Sequence, residues 1–315
     1  MKEETQTKVD RKARKNPPEK GQKKKKKGNI ISTILLIVIL VAGLGVLGYP
    51  KISDWWNSMH ATQAVTQYQE VVEELSPEEK EAMLEAARAY NASLSLGVHF
   101  TLTDAEFAEY MSLLNLTDTG MMGYIQIPSI NVNLPIYHTV EESVLQIGAG
   151  HIPGSSLPVG GESTHSVVSG HRGLPSMRLF TDLDRLVEGD VFTLTVLDQT
   201  ITYMVDQIRI VLPEETQEMA IVEGGDYCTL VTCTPYGINT HRMLVRGRRI
   251  DNLDEGAMVT SDATRIPTYI VVPAVGIPLL FILLIIMLIY YRKKKPRKSD
   301  RELLDEFKNP NHPDL

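Results

Sequence analysis

One stretch carries reactive side chains at a telling spacing: Thr229-Leu-Val-Thr-Cys-Thr-Pro-Tyr-Gly-Ile-Asn-Thr-His-Arg242. The β-branched and apolar run from Tyr227 to Thr232 predicts a buried strand closed by Cys233. Pro235 and Gly237 break the backbone, and Arg242-Met-Leu-Val-Arg-Gly-Arg-Arg-Ile250 predicts a second strand. If the two strands pair, a thiol and a guanidinium face each other across a short loop. Such a thiol can attack a carbonyl. A flat, permanently charged arginine suits the oxygen that becomes negative.

A free thiol, with a pKa of about 8.5, is mostly protonated at neutral pH and needs a base beside it. Of the eight histidines, His171 lies in Ser169-Gly-His-Arg-Gly173, just past a Val167-Val168 strand and flanked by glycines that free the backbone to present it. The residue types alone leave open an ordinary hydrogen-bonded histidine. Asp182 and Asp184 are near enough in sequence to orient its ring. Thr232 precedes the thiol, and its hydroxyl or backbone can touch substrate. Cys228 reads as a small buried hydrophobe. Five residues apart on one strand, the two cysteines point to opposite faces, which disfavours a disulfide. Their spacing is also wrong for a zinc knuckle, so neither metal nor cofactor is expected.

The motif Thr229-Leu-Val-Thr-Cys233 resembles the Thr-Leu-x-Thr-Cys signature of the sortases, membrane-anchored cysteine transpeptidases. Thr234-Pro-Tyr-Gly with Asn239-Thr-His-Arg242 looks most like the pilin-polymerising class C branch, and the resemblance runs from Gly123 to Ile250. It implies an all-β, eight-stranded barrel with Cys233 as nucleophile, His171 as general acid/base and Arg242 at the oxyanion. It also implies cleavage of a Leu-Pro-x-Thr-Gly-like sorting motif (LPxTG) between Thr and Gly through a thioester. A pilin lysine would then resolve the thioester, with pilin or surface-protein substrates as partners. Pilin-type sortases carry an Asp-Pro-aromatic lid. Val98-His99-Phe100 stands at that place without Asp or Pro, so Phe100 is either a lid residue or part of a plain connecting loop, with Asp104 the substitute acid. Alternatives are attachment of surface proteins to peptidoglycan, a membrane-bound cysteine protease, and a non-enzymatic pilus scaffold.

Short strand patterns support the barrel: Gly123–Ile127, Pro128–Tyr137, Val167–Gly170, Val191–Leu197 and Ile201–Val211, with a tight turn over Leu197-Asp-Gln-Thr200. These place the catalytic barrel at 121–252. A helical arm and possible lid occupy 50–120, with helices expected over His60–Leu75 and Pro77–Tyr90. Ser76-Pro-Glu-Glu79 has the makings of a capped start for the second. Asn91-Ala-Ser93 and Asn115-Leu-Thr117 fit the glycosylation triplet.

Charge is distributed unevenly. Residues 1–28 hold 12 basic against 4 acidic side chains and residues 292–315 hold 8 against 5, while 51–267 hold 12 against 30. So acidic a middle repels phosphate backbones and argues against nucleic acid. Residues 30–49 carry no charge and are long enough to cross a bilayer core of about 30 Å. Residues 268–291 form a second such run, after a linker at 253–267. Basic tails at 1–29 and 292–315 flank the two runs, so the positive-inside rule places both termini in the cytoplasm and the barrel outside. The first run lacks a small-x-small cleavage site and reads as an uncleaved anchor.

Overall fold

The computed structural model describes residues 23–252 except Asp118, with side chains from Thr33 onward, and beyond them only Phe281 and Ile285. The second apolar run at 268–291, apart from those two residues, and the tail at 292–315 lie outside the described residues. Of the described helices, one is long and apolar enough to cross a membrane.

That helix, α1 (Lys23–Glu74), corrects the sequence reading. The expected membrane span and the helix expected from His60 are one continuous rod that passes through Pro50. Proline removes an N–H and crowds the preceding turn, which costs about 3 kcal/mol in a helix interior. Burial beyond it holds the rod together. Ala61, Val65, Tyr68 and Val72, spaced three or four apart, are buried against the barrel. The Tyr68 hydroxyl donates to the Met122 carbonyl (3.0 Å) and accepts from the Leu197 N–H (2.8 Å), fixing the helix to one strand and one hairpin turn. A short break precedes α2 (Pro77–Ser93), which starts with the expected capping box: Ser76 accepts from the Glu79 N–H, and Glu79 accepts from the Ser76 N–H. Asn91 is buried and holds both backbone groups of Leu157, which removes it from any modification site on the surface. A helix absent from the sequence reading, α3 (Asp104–Ser112), opens on a second capping box between Thr103 and Glu106. Asp104 is its first residue.

The strands are β1 (Met121–Ile127), β2 (Val132–His138), β3 (Ala149–His151), β4 (Thr164–Ser169), β5 (Val191–Val196), β6 (Gln199–Val211), β7 (Asp226–Thr234) and β8 (His241–Ile250). They close a barrel in the order β1-β2-β3-β4-β7-β8-β6-β5. Pro128–Ile130, expected as strand, forms a single tight turn, because Asn131 adopts a left-handed conformation before β2 starts. A short helix, α4 (Glu142–Leu145), and the three-residue β3 were also not foreseen. The β5–β6 hairpin turns at Leu197-Asp198 as expected, with Val196 opposite Gln199.

Two pairings are parallel, β2–β3 and β4–β7. The second matters most for function, because a parallel pair brings two strand ends to the same rim. Alternate residues of β7 face inward, so Cys228 and Leu230 join the barrel core, whereas Val231 packs in a separate cluster with Val167, Met219 and Leu244.

Candidate active site

Strand register assembles the site. Ser169 of β4 pairs with Val231 of β7, and the Gly170 N–H continues the ladder by donating to the Val231 carbonyl at 3.0 Å. Two residues further along both chains stand His171 and Cys233. On the other side of β7, Cys233 is the direct partner of Arg242 in the antiparallel β7–β8 pair. Adjacent strands lie about 4.8 Å apart. The order β4-β7-β8 therefore sets the thiol in the middle of one row, with the imidazole's residue on one side and the guanidinium's on the other.

Backbone contacts hold this row. The Thr232 hydroxyl donates to the Gly170 carbonyl at 2.8 Å, and the Phe180 N–H donates to the His171 carbonyl at 3.1 Å. Residue 170 must be glycine, since a Cβ there would come within 2.7 Å of the Phe180 ring. Thr232 is 1% exposed, which corrects the expectation for its side chain. It lies beneath the site and braces the His171 backbone instead of reaching into the cleft.

His171 keeps about a quarter of its side chain exposed (24%), and its Nε2 lies 3.1 Å from the Glu142 carboxylate at the start of α4. The Gln146 amide, and next the His171 ring, hold the Glu142 carboxyl below the usual carboxylate range. Neither aspartate near in sequence bonds the ring. Asp182 pairs with Arg178 and Arg185, and Asp184 pairs with Arg172. Arg172 also donates to the Thr234 hydroxyl at 3.0 Å, so it ties the loop after the histidine to the residue after the thiol. Sequence reasoning missed both Glu142 and Arg172. The second was visible in Ser169-Gly-His-Arg-Gly173, whereas nothing local marks a glutamate 29 positions from its partner.

Arg242 is part-buried, and its Nη1 donates to the carbonyls of Asn239 and His241, each at 3.2 Å. Five donors on a rigid fork leave others for a substrate oxygen. Cys233 is partly exposed, while Cys228 is fully buried, and both are free thiols. Burial, and then the charge of Asp226, push the Cys228 thiol far up, which keeps it inert. In the loop after Cys233, Tyr236 and Ile238 are exposed, and the Tyr236 ring lies over Gly173.

Leading up to the thiol is an apolar floor. Val231 lies two residues from Cys233 and Leu244 two from Arg242, hence on the same outer face. Val167 completes it from β4. Phe100 packs on this floor, together with Ile152 and Val211. The segment that carries it is pinned by Gly97, which exchanges backbone bonds with Ile221 (3.0 and 2.7 Å), and its His99–Phe100 backbone presses against Gly154. Among the described residues, no group of three His, Cys, Asp or Glu could hold a metal ion. A cavity of about 690 Å³ lined by Arg88, Asn91, Thr164 and Arg249 lies at the far end of β4 and takes no part in the row.

The chain is a closed eight-stranded barrel in which Cys233 pairs with Arg242 across β7–β8 and His171 follows two residues after the end of β4, and it belongs to the sortase family of cysteine transpeptidases. The sortase domain model matches residues 125–250. Within the family the chain is most like class C. Sortase C1 of Streptococcus agalactiae is 50% identical with a TM-score of 0.60, the match covering 61% of this chain and 100% of that one. A Clostridium perfringens sortase C solved with the C-terminal cell wall sorting motif is 42% identical with a TM-score of 0.53, covering 61% and 100%. Sortase A of Streptococcus agalactiae serotype III (strain NEM316) is 32% identical over 117 residues, 36% of this chain; the match spans about half of that relative (47%).

Proposed function

We propose that the protein is a membrane-anchored transpeptidase that cleaves an LPxTG-like sorting signal between Thr and Gly and joins the threonine carbonyl to a lysine amine of a pilin subunit. The observation that carries this reading is the row His171–Cys233–Arg242, set by the β4–β7 and β7–β8 registers. His171 takes the thiol proton, the Cys233 sulfur attacks the threonine carbonyl, and the oxygen that gains the negative charge is held by Arg242. His171 gives a proton to the departing glycine amine, which leaves a thioester on Cys233. The pilin lysine amine then attacks the thioester, gives up a proton to His171 and restores the thiol. Two covalent steps exchange one amide for another without an external energy source.

The apolar floor of Val167, Val231 and Leu244 offers a surface for the leucine and proline of the motif. Phe100, packed on that floor, is the lid residue in this reading. A relative solved with a sorting motif supports the substrate class. The apolar run near the start of α1, none of it buried inside the protein, supports the anchor, with the barrel outside the membrane. The second span at 268–291, both termini in the cytoplasm and the division at 50–120, 121–252 and 253–267 belong to the same proposal.

Mass spectrometry of the full chain incubated with a sorting-motif peptide and a lysine-bearing acceptor tests it. The expected result is an acyl adduct on Cys233, lost in Cys233→Ala, and an isopeptide product. Dominant hydrolysis despite the amine would make the protein a protease. Preference for a peptidoglycan-type amine over lysine would make it a wall-anchoring sortase.

A further inference from the structure

The long helix has two faces just above its apolar run, and only one is used by the barrel. Asp54, Asn57, Ala61, Val65 and Tyr68 face the protein. Ile52, Trp55, Trp56 and Met59, spaced i, i+3, i+4, i+7, form an apolar stripe that is 52–65% exposed. These are the only two tryptophans in the chain.

We propose that this stripe is seated in the headgroup layer of the bilayer and holds the histidine-bearing loop of the active site against the membrane surface. The inference rests on the anchor reading above. α1 continues from the apolar run without a break, so height above the membrane core follows from helix rise. At 1.5 Å per residue, Trp55 and Trp56 lie about 9–11 Å beyond Tyr49. Helical side chains lean toward the helix N-terminus, here toward the membrane, and so cover the preceding turn. The indoles thus reach a headgroup layer roughly 5–8 Å thick on each side. An apolar ring with one N–H donor suits that layer, where tryptophan is enriched.

On the opposite face the same turns bind the site's own loop. The Asn57 amide donates to the Ser176 carbonyl at 2.9 Å, and Asp54 accepts from the Arg178 N–H at 2.8 Å. This segment links His171 to Phe180, whose N–H holds the His171 carbonyl. The stripe and the catalytic histidine are therefore connected through one helix turn and one loop. A site held at this height meets the region of a tethered substrate that emerges directly from its own span.

With both tryptophans in the stripe, their fluorescence reports on it alone. The test uses the full chain in phosphatidylcholine–phosphatidylglycerol vesicles containing lipids brominated at shallow or deep acyl positions. Shallow bromines are expected to quench the emission more than deep ones, with protection from aqueous acrylamide. Free access to acrylamide without lipid quenching, or protection from both quenchers (a protein-covered stripe), overturns the proposal. Carbonate extraction reports the anchor separately: a retained chain with water-exposed tryptophans refutes the seating alone, and an extracted chain refutes both. A Trp55→Glu/Trp56→Glu variant should lose about tenfold in rate on a membrane-tethered sorting peptide, through lost effective concentration, and nothing on a soluble one. Equal rates on the tethered peptide would also overturn the proposal.

Discussion

Thr232→Val isolates the brace beneath the site. Valine fills nearly the same volume, so at this position, which is 1% exposed, the change removes one hydroxyl and leaves the carbonyl of buried Gly170 without its donor. An unsatisfied buried acceptor costs about 1–3 kcal/mol. For a domain of this size each kcal/mol lowers Tm by roughly 2–4 °C, so the melt should fall by roughly 2–12 °C. The functional effect should be larger. Gly170 immediately precedes His171, and displacing a catalytic group by an ångström can cost up to about 100-fold. The expected loss is about 10–100-fold in kcat/KM, carried by kcat with KM little changed, because the hydroxyl does not reach the cleft. Thr232→Ser keeps the donor and should recover most of the rate. The assay is steady-state acyl transfer from a sorting-motif peptide, with thermal melts alongside. A valine variant with full kcat, or a serine variant as slow as valine, would refute the brace.

Four further outcomes are expected. Cys228→Ala should retain acyl-enzyme formation and lose about 1–2 kcal/mol of stability from a small cavity, read by denaturant melts; iodoacetamide should label the native chain once, at Cys233. Glu142→Gln should slow turnover by roughly two- to fivefold at low salt and less at high salt, since exposed ion pairs are weak and screened. Phe100→Ala should speed acylation by a soluble peptide several-fold by uncovering the apolar floor; an unchanged rate would remove Phe100 from any lid. The fourth concerns pH. Burial lowers His151 and His165 to about 4 from 6.5. The unfolded chain then binds more protons between those values, so stability is present above pH 6.5 and is lost as pH falls toward 4. At about 1.4 kcal/mol per pH unit per group, each can contribute about 3 kcal/mol of loss. Tm measured from pH 7 to 4 should drop steeply in that window.

The sequence by itself determined what local chemistry dictates. A β-branched run, a proline–glycine break and a second run specify two strands joined by a short loop, and pairing across that loop puts Cys233 opposite Arg242. Ser76 and Glu79 specify their own cap, and Leu197-Asp198 specify their own hairpin turn, because each set of partners lies within three residues. Only the tertiary structure decided the rest. The parallel β4–β7 pairing joins strands some 60 residues apart, and it alone brings the end of β4 that leads into His171 alongside the end of β7 that carries Cys233. Long-range contacts also turn Thr232 into a brace, give His171 a glutamate in place of an aspartate, seat Phe100 on the apolar floor and carry α1 straight through a proline. In each case the local preference is weak or opposed, at most about 3 kcal/mol for the proline, and burial against distant residues outweighs it. No window of sequence contains those residues together, so their effect emerges only on folding.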